Sequence, residues 1–131
     1  MTPERRWSSV TFPTLIVSES FVIADWTDSG EHPGRPIAAM HLHRSDDEAW
    51  IVLDGRLGFR LGNETREVVA GESLLVPRGT PHSYWNPMAE PARYLLVMTP
   101  RTHRLIESLH SGTRTDYATI FEEHDSELLA D

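Results

Sequence analysis

The sequence predicts an all-β chain, an antiparallel sandwich or barrel finished by two short amphipathic helices. Two observations carry that reading. Short runs rich in β-branched and aromatic residues recur at roughly 8–12 residue spacing with turn chemistry between them. Helical periodicity enters only after Thr99, near the end of the 131 residues.

The first nine residues form a polar lead-in. Thr11-Phe12, Leu15-Ile16-Val17 and Phe21-Val22-Ile23 then read as strands between Val10 and Trp26. Thr27 to Gly34 is a loop by its Asp, Ser, Gly and Pro content. Trp50 to Leu53 is a short apolar strand that runs into Asp54-Gly55, the signal of a hairpin. Leu57, Phe59 and Leu61 alternate with Gly58 and Arg60 before Gly62-Asn63 turns the chain again. Val68-Val69, Ser73 to Val76, His82 to Trp85 and Tyr94 to Thr99 continue the series. In Arg101 to His110 the apolar residues Leu105, Ile106 and Leu109 fall at helical spacing. After Ser111-Gly112 the set Tyr117, Ile120, Phe121, His124 and Leu128 predicts a second helix.

Composition narrows the function. The formal charge is −8, and the twelve basic residues are scattered arginines. A nucleic-acid partner, which needs clustered positive charge, is therefore not expected. The longest apolar runs are too short to cross a bilayer, and Arg5-Arg6 precedes no apolar leader segment. A cytoplasmic protein without membrane partner is the expectation. Cysteine is absent, which removes disulfides, thiol nucleophiles and thiolate metal sites, leaving His and carboxylates as the strong ligands.

Four such ligands have telling positions. His41 and His43 stand one residue apart, so on a strand both imidazoles share a face. Glu48 follows across the polar stretch Arg44-Ser45-Asp46-Asp47, which must absorb a change of register if Glu48 is to face the same way. His82 comes after Pro77-Arg78-Gly79-Thr80-Pro81, a rigid turn that sets how its strand begins. Three imidazoles and one carboxylate suit Fe, Mn, Ni, Cu or Zn. They leave coordination positions open for a substrate on one divalent ion per chain.

The segments Gly34-x6-His41-x-His43-x4-Glu48-x6-Gly55 and Gly71-x5-Pro77-x-Gly79-x2-His82-x3-Asn86 resemble the two sequence motifs of the cupin family. One extra residue between Gly34 and His41 departs from the usual spacing, and it falls in a loop. The motifs lie fifteen residues apart, Arg56 to Ala70, and together run from Gly34 to Asn86. The resemblance implies an antiparallel jelly-roll-like β-barrel. It also implies a metal site of His41, His43, Glu48 and His82, with Gly55, Gly71 and Gly79 as turn residues. One domain is expected over residues 1–131, with the motif core at 34–100 and a helical tail at 101–131.

Around this site Glu48 and Tyr84 are the candidate catalytic groups, with a barrel-lining role as the alternative for Tyr84. Asn86 shares strand parity with His82 and Tyr84; ending the strand is favoured over binding a substrate. Trp26, Trp50 and Phe59 can shape an apolar pocket or pack the core, while Trp85, of opposite parity to His82, is assigned to packing. Arg60, Arg93 and Asp46-Asp47 are expected on solvated faces, and His32, His103, His110 and His124 on the surface or in helices. Three functions follow from the resemblance. The favoured one is a dioxygenase-like oxidation of a small phenolic or enolisable substrate. The alternatives are a non-redox aromatic polyketide cyclase, isomerase or lyase, and a non-catalytic small-molecule binder. A homodimer is expected, because the apolar N-terminal strands exceed what one small barrel covers.

Overall fold

A computed structural model describes residues 14–129; Thr11-Phe12 lies outside the described residues. The strands are β1 (Thr14–Val17), β2 (Val22–Asp28), β3 (Pro36–His43), β4 (Glu48–Asp54), β5 (Arg56–Leu61), β6 (Glu64–Val69), β7 (Ser73–Val76), β8 (His82–Trp85), β9 (Ala92–Met98) and β10 (Ser126–Leu128). Helices α1 (Pro100–His110) and α2 (Tyr117–Glu123) lie between β9 and β10. No described helix is long and apolar enough to cross a membrane.

The strands form two five-stranded antiparallel sheets. One has the order β1-β2-β9-β4-β7 and the other β10-β3-β8-β5-β6. Period-two alternation sets the inner faces. Ala92, Tyr94, Leu96 and Met98 of β9 are buried while the residues between them are half-exposed. In β4 the buried set is Glu48, Trp50 and Val52, so a carboxylate occupies a position the pattern reserves for the core.

Trp50 joins the two sheets. From the first sheet it meets Phe59 edge-on at 5.2 Å and Tyr84 at 5.3 Å, and those two rings stack at 5.6 Å in the second sheet. Each such pair adds about 0.5–1.5 kcal/mol beyond the burial of its area.

Two expectations about local structure are corrected. Asp54-Gly55 does not close a hairpin: β4 and β5 belong to different sheets, and the dipeptide turns the corner between them. Gly55 has φ +72°, and a Cβ there would sit 2.6 Å from the Pro91 carbonyl oxygen, so close approach as well as conformation selects glycine. Gly62-Asn63 does close the β5–β6 hairpin. The second tail helix ends at Glu123 and does not continue to Leu128. Asp125, at φ 54°, turns the chain, and residues 126–128 add β10 to the edge of β3. Helical spacing in the sequence could not separate these because β10 is too short to show a period of its own.

Helix α1 begins where Thr99 accepts a hydrogen bond from the Thr102 amide at 3.1 Å, with Pro100 in the first turn. Its Leu105 packs with Ile120 and Phe121 of α2 in a small second core beside the sheets.

On the edge strand β1, Leu15, Ile16 and Val17 are about half exposed or more, as is Phe21 just beyond it. Apolar edge strands are ordinarily covered, so a homodimer that buries β1 remains our proposal for the assembly. Light scattering is expected to give twice the 14.9 kDa of one chain, and the mass of a single chain at micromolar concentration would rule it out.

Candidate metal centre

The four ligand candidates arrive on three strands drawn from both sheets. β3 supplies His41 and His43, β8 supplies His82 directly opposite His41, and β4 supplies Glu48 from the facing sheet. The register problem at Arg44 to Asp47 is thus solved by changing sheets: Glu48 starts a new strand whose inner face looks at the histidines.

A bulge shapes β3. Ala38 pairs with Tyr84 and His41 with His82, so three steps on β3 match two on β8. Within this irregular segment the His41 Nδ1 donates to the Ala39 carbonyl at 2.6 Å.

One ligand atom from each side chain lies within 4.8 Å of the other three, and the residues are 1–7% exposed. The proton on each ring is placed by its partner. His41 Nδ1 faces the Ala39 carbonyl at 2.6 Å and His82 Nδ1 the Thr80 carbonyl at 2.9 Å. A carbonyl only accepts, so both Nδ1 atoms carry hydrogen and both Nε2 atoms present lone pairs. His43 Nδ1 lies 2.7 Å from Ser126 Oγ, which itself donates to the His124 carbonyl; the same tautomer follows.

These lone pairs meet another acceptor. Glu48 Oε1 is 2.7 Å from His43 Nε2 and 3.1 Å from His82 Nε2. His43 Nε2 is buried and, despite the short distance, not aligned to hydrogen-bond with any partner. Nitrogen lone pairs packed against a carboxylate oxygen call for a cation among them. The donor set fits a divalent transition metal, so His41, His43, Glu48 and His82 can bind one. The charge state agrees. Burial pushes the Glu48 carboxyl up, but hydrogen bonds and charge from protonated His43 and His82, a role a bound cation would take over, outweigh that and hold it at about 2. Burial first, then the neighbouring His82, lowers His41 to about 4. Around neutral pH the site therefore offers an anionic oxygen and, at His41, a neutral imidazole.

His41, His43 and Glu48 of the cluster line a cavity of about 550 Å³. Trp26, Tyr94 and Leu96 form its wall on the first sheet, and Leu105, Ile106 and Phe121 close it from the helices. Phe121 also packs on His41 at 5.4 Å between ring centroids. No arginine lines the cavity among the described residues, and the chain has no lysine. Tyr84 and Tyr94 both line it, with their hydroxyls 3.0 Å apart. Burial, above all, raises the Tyr84 phenol well past its ordinary value and the Tyr94 phenol to about 12. Both remain protonated donors.

The remaining candidates separate clearly. Trp50 lines the cavity with Trp26, whereas Phe59 is core. Asn86 knits the loop after β8, donating to Asp28 Oδ2 and the Glu90 carbonyl and accepting from the Met88 amide. Trp85 covers Gly58, where a Cβ would lie 2.4 Å from its indole nitrogen. Arg93 makes a two-pronged contact with Asp25, and Arg60 reaches the Gly62 carbonyl. His103 faces Glu107, and His124 donates to the Ile120 carbonyl. His110 lies at the exposed rim of the cavity and contributes to its lining. The Asp46-Asp47 reading is half corrected: Asp47 is exposed, whereas Asp46 is 6% exposed and held by Arg101 at 2.8 and 3.2 Å. Sequence reasoning missed Arg101, Ser126, Phe121 and Tyr94 as parts of the site. Arg101, Ser126 and Phe121 meet it across tens of positions and Tyr94 meets Tyr84 from the facing sheet, and no spacing rule reports such contacts.

The chain belongs to the cupin family: the Cupin domain matches residues 31–98, which contain all four ligand candidates. Mannose-1-phosphate guanylyltransferase 2 of Escherichia coli O157:H7 is 41% identical over 66 residues, half of this chain and 13% of that protein. Quercetin 2,3-dioxygenase of Bacillus subtilis is 40% identical over 45 residues, 34% of this chain and again 13% of the relative. The likeness to these enzymes is thus confined to a small part of their length. In three dimensions the chain is similar to a double-stranded β-helix protein from Klebsiella pneumoniae, with TM-score 0.57 and 24% identity over 68% of this chain and 71% of that one.

Metal analysis after reconstitution at pH 7.5 is expected to give about one divalent ion per chain, and His82→Ala is expected to take up none while keeping its fold. Protons compete for imidazole nitrogen, whose free pKa is about 6.5. Affinity should therefore fall as pH drops below about 6. His41 itself, lowered to about 4 by burial above all, stays neutral through most of that range. Flat occupancy from pH 7 to about 4.5 in an equilibrium dialysis series would exclude a site built on three histidines.

Proposed function

We propose that this protein is a metal-dependent enzyme that oxidises a small phenolic or enolisable substrate with dioxygen. The observation that carries the reading is the convergence of three imidazoles and one carboxylate, with His41, His43 and Glu48 on the wall of a largely apolar, aromatic-lined cavity. A redox-active divalent ion bound there would acidify a substrate hydroxyl and exchange electrons with substrate and dioxygen.

The chain's own residues account for the rest. Trp26, Leu96 and Leu105 offer an apolar slot for a flat ring. The ionised Glu48 is the acceptor for the proton that a phenol or enol gives up on binding. A carboxyl held at about 2 is a weak base, so it takes a proton only from a group already acidified. Tyr84 and Tyr94, kept protonated by burial, share one hydrogen bond between their hydroxyls, which leaves one of the pair to donate towards a substrate oxygen and neither to act as a base. The helices α1 and α2 limit water at the site.

The lining also bears on substrate class. A relative acts on a sugar phosphate, but among the described residues no arginine or lysine lines the cavity to form a cation fork for a phosphate. An uncharged aromatic or dicarbonyl compound fits it better, which agrees with the likeness to a quercetin dioxygenase.

The test is anaerobic reconstitution with Fe(II), Mn(II), Ni(II), Cu(II) or Zn(II), then a panel of phenols and 1,3-dicarbonyls followed with an oxygen electrode. Oxygen uptake is expected with redox-active ions and not with Zn(II). Tyr84→Phe is expected to lower kcat about 5- to 150-fold, the loss of a buried hydrogen bond of about 1–3 kcal/mol. Turnover that persists with Zn(II) in the absence of dioxygen would replace oxidation with cyclase, isomerase or lyase chemistry. Tight binding without any turnover would make the protein a binder.

A further inference from the structure

The three histidines do not hold their rings in the same way. His41 and His82 each donate Nδ1–H to a backbone carbonyl two residues earlier, at Ala39 and Thr80. Both anchors are local and come with the strands that carry the ligands. His43 is anchored by a side chain 83 positions away, Ser126, at 2.7 Å. Ser126 is fully buried, and its hydroxyl hydrogen is directed to the His124 carbonyl at 3.1 Å. Its oxygen is thereby left as an acceptor facing His43.

The placement of Ser126 is secured independently of that contact. β10 pairs with β3 so that Ser126 lies opposite His43 and Leu128 opposite His41. The Leu129 amide donates to the Met40 carbonyl at 2.9 Å. The turn before β10 is tied to the turn between His43 and Glu48. The Arg44 amide donates to the Asp125 carbonyl at 2.9 Å, and Ser45 Oγ donates to the Asp125 carboxylate at 2.6 Å. All these tail residues lie beyond residue 98, where the match to the Cupin domain stops.

We propose that Ser126 is a positioning residue of the metal centre, and that β10 is a working part of that centre through it. The Ser126 hydroxyl selects the Nδ1–H tautomer of His43 and orients the ring, so that the Nε2 lone pair faces Glu48, His41 and His82. Groups that orient a ligand from behind typically contribute 10- to 100-fold in metal affinity. The inference rests on the reading of the four side chains as metal ligands.

The experiment has two parts on the full chain. The first records long-range 1H–15N NMR spectra of the metal-free wild type, where His43 is expected in the Nδ1–H form. An Nε2–H tautomer at His43 overturns the proposal, and this measurement needs no variant. The second titrates Co(II) against a competing chelator and records its visible absorption. Ser126→Ala is expected to bind Co(II) 10- to 100-fold more weakly, with a changed spectrum at saturation, and Ser126→Thr, which keeps the hydroxyl, is expected to restore both. A role in packing alone would leave the spectrum of the filled site unchanged. Wild-type affinity and spectrum in Ser126→Ala overturn this inference while leaving the metal centre standing. Failure of the wild type to bind Co(II) at all removes the metal centre and this inference together.

Discussion

A carboxylate buried between two β-sheets has to be compensated where it stands, because an unpaired charge removed from water costs several kcal/mol. Glu48 is that group, 4% exposed on the inner face of β4. Much of the architecture around it answers this single demand. Histidines come from the opposite sheet, each ring nitrogen that points away from Glu48 is committed to an oxygen, and the nitrogens that remain face the carboxylate. A cation shared by the cluster would satisfy four groups at once, so the constraint that destabilises an empty core position suits this one to binding.

The jelly-roll connection makes this possible. A hairpin between β3 and β4 would have kept both strands in one sheet and left Glu48 beside the histidines. By crossing between sheets, the chain sets ligands only a few residues apart against each other from two walls. The corner is held by paired charges. Arg101 at the start of α1 reaches Asp46, and Arg44 meets Glu122 at 2.9 and 3.0 Å. Exposed pairs of the Arg44 kind contribute little to stability. The Asp46 pair, with its carboxylate buried, ties the ligand-bearing turn to the helical tail.

The tail has two roles. Its helices supply the apolar side of the cavity, and Phe121 rests against His41. Its last strand extends the sheet that carries the histidines and brings Ser126 behind one of them. Conformational freedom in these residues would be felt at the ligands, since packing and hydrogen bonds connect them directly.

What could be read from the residues, and what could not, divides along a physical line. The cluster of candidate ligands was legible because strand geometry gives His41 and His43 a common face, and because the motifs carry Glu48 and His82 at recurring distances. The strands were legible from period-two alternation, and the turn at Gly62-Asn63 from its chemistry. Asp54-Gly55 misled, because the same dipeptide serves a hairpin and a corner between sheets; only the close approach of Pro91 distinguishes the two. The helix-like spacing that ran on to Leu128 misled as well, since a three-residue strand carries no period and takes its structure from the edge of β3. Asp46 looked solvated until Arg101, 55 positions later, was folded against it. The sequence by itself determined which atoms can bind a metal and roughly how the strands alternate. Tertiary structure alone decided which sheet each candidate ligand hangs from, that Ser126 stands behind His43, and which side chains line the cavity beside them. Those are set by contacts between residues tens of positions apart, and local patterns carry no record of them.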